Sequence, residues 1–156
     1  MTRRFAACLL FALALLAGPA LAAPEGIVTA KTPHSYKDLV ERLNTAVKAH
    51  KMGLVTRASA TVGAKAVFKK EIPGNMVVGV YHPRFAVPML EASIPAGIEA
   101  PIRFYITENE DGTASLTYRK PTAVFAPYKD GGDKLKNLAK ELDEVFASIA
   151  KQAVGE

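Results

Sequence analysis

Apolar positions recur with a period of two over several short stretches and at helical spacing over two longer ones. Leu39, Val40, Leu43 and Val47 fall on one face of a helix, and Leu135, Leu138, Leu142, Val145, Phe146 and Ile149 form one apolar stripe on a closing helix. Ser35 stands where its hydroxyl can cap the first helix, with Asp38 three residues on near the positive helix end. Gly53 is expected to end that helix in a left-handed cap. The strand-like stretches are Ile27 to Ala30, Leu54 to Val62 and Met76 to His82. Ile102 to Thr107 and Ala114 to Lys120 read as a hairpin around Asn109 to Gly112, where an Asp-Gly pair supplies the turn. Gly63 to Glu71 has no clear period, and a short helix is the reading offered for it. Arg84 to Ala92 predicts a short helix with Pro88 in its first turn, and Pro95 to Pro101 a connecting loop. A Pro- and Gly-containing stretch runs on to Gly132. There is no internal repeat. Strands outnumber helices and do not alternate with them, so the expected fold class is α+β, a single antiparallel β-sheet with helices packed on one face.

Alternation divides the strands into two sets. Met76, Val78, Val80, Ile102, Phe104, Ile106, Leu116 and Tyr118 form an apolar face that should meet the helices. The opposite face carries Val77, Tyr81, Arg103, Tyr105, Thr107, Thr117 and Arg119, too apolar for an ordinary wet surface and too charged for burial. Three readings fit it. Tyr and Arg are enriched at interfaces, which suits a homodimer. Guanidiniums and tyrosine rings also suit a small anionic or planar ligand. A solvated face with arginine stems lying over the tyrosines is the third.

The N-terminus changes the compartment. Arg3 and Arg4 precede a thirteen-residue uncharged run, Phe5 to Ala17, and Ala20-Leu21-Ala22 presents small residues at a cleavage point. This is the order of a secretory signal, expected to be cut after Ala22, and the run is too short to span a bilayer. Arg4 abuts Phe5, which disfavours the twin-arginine route, and Cys8 lies inside the apolar run rather than at a lipoprotein cleavage point. The expected organisation is thus a signal peptide over residues 1–22 and one domain over 23–156, with its core at about 26–152. The exported domain would be periplasmic and soluble, without a membrane span. Cys8 is the single cysteine, so the mature domain would hold no disulfide and no thiolate ligand. Loss of Arg3 and Arg4 lowers the formal charge from +5 to +3. The remaining lysines lie mostly among acidic residues, a pattern that speaks against nucleic acid.

Candidate chemistry is sparse. His34, His50 and His82 lack helical metal-pair spacing, and no metal or cofactor is expected. His34 and His50 lie beside helix ends, in structural or solvated settings. Glu108, Glu110 and Asp111 lack the ligand count of a calcium loop. Nucleophile-elbow, phosphate-loop, dinucleotide and zinc-protease signatures are missing. His82, ending a strand just before Pro83, is the one catalytic candidate; a histidine satisfied by the backbone is the bland alternative.

Several blocks together resemble the DUF302 family, a bacterial and archaeal group of unknown function. They are Val78-Gly-Val-Tyr-His-Pro83, Pro88-Met-Leu, Ala96-Gly-Ile-Glu-Ala-Pro101, Ile102 to Thr107 and Asp111-Gly112, with Ala58 to Ala64 and the capped first helix in order before them. The resemblance implies a TBP-like α+β fold, often dimeric, and carries no established activity. Many members have Phe-Gly-Asn-Pro at Val80-Tyr81-His82-Pro83 and an Asp-His pair at Ser59-Ala60. Chemistry resting on that pair is not available to this chain.

The reading that follows is a non-enzymatic periplasmic homodimer binding a small anionic ligand or an envelope protein through Tyr81, His82, Arg103, Tyr105 and Arg119. The alternative is an enzyme using His82 with those Arg and Tyr groups on an anionic substrate.

Overall fold

The structure, a computed structural model, describes residues 25–156. The expected signal peptide and its cleavage point lie outside these residues. Five strands, β1 (Ile27–Ser35), β2 (Gly53–Ala58), β3 (Asn75–Tyr81), β4 (Ile102–Glu108) and β5 (Thr113–Arg119), form one sheet in the order β1-β5-β4-β3-β2, with every pairing antiparallel. The helices are α1 (Tyr36–Ala49), α2 (Ala60–Gly63), α3 (Pro83–Ala92), α4 (Pro121–Phe125) and α5 (Gly132–Val154). A π-helical turn (Ala64–Phe68) extends α2, and 3₁₀ turns occupy Pro95–Glu99 and Lys129–Gly131.

The two sets of alternating residues take the expected sides. Val78, Val80, Ile102, Phe104, Ile106, Leu116 and Tyr118 are buried against Leu39, Leu43 and Val47 of α1 and Leu142, Phe146 and Ile149 of α5. Burial of this apolar surface is the main stabilising term. Among the described residues no helix layer covers the opposite face: Arg103, Tyr105 and Arg119 are exposed, and Val77, Thr107 and Thr117 half-buried, while Tyr81, at the end of β3, instead lines a small cavity with core residues of the helix side. The α+β fold class therefore stands.

Local details depart from the pattern. Ser35 does cap α1, its Oγ accepting from the Asp38 N–H at 3.2 Å. The left-handed residue that turns the chain out of α1 is Lys51, with φ 55°, rather than Gly53. Gly53 opens β2, where an added Cβ would stand 3.0 Å from the Tyr81 carbonyl oxygen. β1 runs five residues past Ala30, through a bulge between Thr32 and Ser35. β2 stops at Ala58, short of the expected Val62. Ser59 captures the Val62 N–H at 3.4 Å and Asn75 captures the Ala60 N–H at 2.9 Å, which turns the chain into α2. Pro83 opens α3 and Pro88 sits inside the helix, beyond the first turn. The expected loop after α3 contains the Pro95–Glu99 turn and a cis Ala100-Pro101 bond.

Candidate functional site

β4 and β5 bring the open-face candidates together. Phe104 pairs directly with Tyr118. Their neighbours Arg103 and Arg119 therefore stand side by side on the opposite face. Both line a groove of about 260 Å³ with Tyr105, Thr117 and Ile27. Neither guanidinium makes a hydrogen bond or an ion pair with the described residues. Glu99 reaches the same rim, but its carboxylate accepts from the Tyr128 hydroxyl at 2.7 Å. Arg119 also borders a broader depression with Lys120, Lys129 and Glu25. Across the sheet, Thr29, Thr117, Tyr105, Val77 and Ala58 follow one register line, an uncharged row spanning five strands.

Tyr81 and His82 lie elsewhere. They line a separate cavity with Met52, Phe85, Met89 and Phe146. Its volume of about 30 Å³ matches a single water. His82 is the N-cap of α3, its Nδ1 accepting from the Arg84 N–H at 3.0 Å. That contact places the proton of the neutral ring on Nε2. The five candidates thus divide: Arg103, Tyr105 and Arg119 share a groove, while Tyr81 and His82 share a small apolar cavity.

The remaining polar candidates serve the fold. His34 lies between Asp38, 3.1 Å from Nδ1, and the Val154 carbonyl oxygen, 3.2 Å from Nε2. Arg42 donates from Nε to the Ala153 carbonyl at 2.7 Å, so both side chains hold the end of α5 against α1. His50 is the C-cap of α1. Hydrogen bonds from Thr113 hold the Asp111 carboxyl below the usual carboxylate range and close the hairpin turn. Glu108 accepts from the Gly74 N–H at 2.6 Å. Ser59, at the position of the family's Asp-His pair, caps α2, its Oγ accepting from the Val62 N–H at 3.4 Å. Among the described residues no group of three or more His, Cys, Asp and Glu is placed to hold a metal ion, and no helix is long and apolar enough to cross a membrane.

Sequence reasoning missed the groove between α4 and α5, which is lined by Phe125, Tyr128, Leu135 and Ala139 with Lys129, Lys136 and Lys140 at its rim. The spacing of Lys136, Ala139 and Lys140 on one helix face was the available signal. The facing wall came from a stretch read only as Pro- and Gly-containing.

Residues 28–153 match the family described as a domain of unknown function, DUF302. No curated protein matches the chain. The fold is shared with a crystal structure of an uncharacterized conserved protein DUF302 from Bacillus stearothermophilus, at 18% identity and a TM-score of 0.74. That alignment covers 83% of this chain and 99% of the other. By the extent of the family match, carried across all five strands and α1 through α5, this chain belongs to the DUF302 family.

Proposed function

We propose that this DUF302 domain is an exported, non-enzymatic binding protein that takes a small planar anion on its open sheet face. The observation that carries the reading is the pair of guanidiniums, Arg103 and Arg119, without a partner among the described residues and in one groove with Tyr105 and Thr117. Like charges side by side across a strand pair cost stability, and an anion held by both would offset that cost. Tyr105, 40% exposed, offers its ring to a planar ligand body, and the Thr117 hydroxyl adds a polar contact within reach. Export is supported by Arg3, Arg4, the apolar run to Ala17 and the small residues before Ala23. A non-enzymatic role agrees with His82 spending Nδ1 on the α3 cap, beside a cavity with room for one water.

Native mass spectrometry of the protein recovered from the periplasm tests this reading. The expected result is a chain beginning at Ala23 that carries a small anion, with the anion lost from the Arg103→Gln, Arg119→Gln variant. An intact leader would overturn export. A ligand-free protein that also ignores added benzoate would overturn the binding site.

The uncharged row Thr29–Thr117–Tyr105–Val77–Ala58 favours a second reading, a homodimer packed through this same face. Sedimentation at tens of micromolar decides it, and a clean monomer removes it.

A further inference from the structure

We infer a second ligand site, separate from the sheet face: the groove between α4 and α5 takes a single-chain carboxylate amphiphile. Its floor is core-like. Phe125, Leu135 and Ala139 line it and are 4%, 2% and 2% exposed. The groove holds about 230 Å³ and is preformed. Thr122 donates its N–H and its hydroxyl to the Asp143 carboxylate at 2.9 and 2.7 Å, locking α4 to α5. Tyr128, also on the wall, is fixed by its hydrogen bond to Glu99.

The rim carries charge that the fold does not need. Lys136 and Lys140 are four residues apart on α5, and Lys129 faces them from the preceding 3₁₀ turn. Like charges at this spacing destabilise a helix. Among the described residues Lys129 and Lys140 have no ion pair, and Lys136 has only an exposed contact of 3.2 Å to Asp133. The carboxylates of Asp143 and Glu99 are already engaged by Thr122 and Tyr128. A negative headgroup would complement the three ammonium groups while its chain covers the apolar floor. A purely hydrophilic anion would leave the accessible apolar wall at Ala126 and Tyr128 wet, and a neutral chain would leave Lys129 and Lys140 without a counter-charge.

Calorimetric titration of the purified exported protein with decanoate tests the site. Binding tighter than about 100 μM is expected, with decan-1-ol weaker by about tenfold or more. Lys129→Gln with Lys140→Gln, both surface changes that keep the fold, should weaken decanoate by about tenfold. Ala139→Leu should fill the groove and abolish binding. The Arg103→Gln, Arg119→Gln variant should bind decanoate unchanged, which separates this site from the sheet-face proposal. Equal binding of decanol and decanoate would overturn the site, as would indifference to the lysine pair. So would an absence of heat up to about 1 mM, or capture by phosphatidylglycerol vesicles without any uptake of free decanoate.

Discussion

Phe104 of β4 and Phe146 of α5 are stacked, their ring centroids 4.8 Å apart and their planes 11° from parallel. Both are fully buried, and the Tyr118 ring closes on Phe104 at 5.3 Å. The stack ties the middle of the sheet to the long closing helix. The same two strands carry Arg103 and Arg119 on their other side, so the order of the core fixes the geometry of the open-face groove.

Phe146→Ala should therefore cost about 3–5 kcal/mol, the range for removing a buried aromatic ring and leaving a cavity. Chemical denaturation measures it. A loss below about 1 kcal/mol would mean that the core closes over the gap and that the stack does not anchor the helix.

Arg103→Gln should behave in the opposite sense. Arg103 has no partner among the described residues and stands beside Arg119, so its removal relieves repulsion of a few tenths of a kcal/mol. The expected melting temperature of the unliganded protein is equal to or above that of the parent. A marked fall would assign the arginine to the fold rather than to a ligand.

How far these features were legible depends on how local their causes are. The two faces of β3, β4 and β5 followed from alternation alone, because Val78, Phe104, Ile106 and Leu116 point one way and Val77, Arg103, Tyr105 and Thr117 the other. Grouping Arg103, Tyr105 and Arg119 needed only that β4 and β5 form a hairpin. Alternation also puts His82 on the face of Val80, away from these three, but the direction of its ring at a strand end was not legible. Whether its ring turns to the rim or back onto the Arg84 N–H is decided by the helix that starts there. The end of α1 was misplaced because glycine is the usual left-handed residue, and here Lys51 adopts that conformation while Gly53 serves a close strand contact. The α4–α5 groove depends on Thr122 and Asp143, 21 residues apart, and no periodicity shows such a pairing.

High pH should destabilise the fold through its tyrosines. Burial raises Tyr36 and Tyr118 above tyrosine's ordinary value of 10.0, and donation to Glu99 raises Tyr128 above the same value. Each group binds its proton more tightly when folded, so its contribution is fully present below pH 10 and is lost as pH rises through the raised folded values. Unfolding free energies measured from pH 8 to 12 should decline most steeply above about 10, and Tyr118→Phe should flatten the decline. A flat profile in the parent would remove the linkage.

His82 offers the sharpest separation of structure from chemistry. Its Nδ1 satisfies the Arg84 N–H, the first that α3 offers after Pro83, a cap whose loss to alanine costs about 1 kcal/mol. His82→Ala should lose that amount in denaturation and expose the first turn of α3 to hydrogen exchange. Asn and Asp cap helices well through a side-chain oxygen, so His82→Asn should restore most of the stability. A cap is judged by geometry, whereas an acid–base catalyst needs a titrating ring, and Asn has none. Full rescue by Asn in both stability and ligand uptake therefore assigns His82 to the helix. Stability rescued without ligand uptake would return the imidazole to the functional site and reopen the catalytic reading.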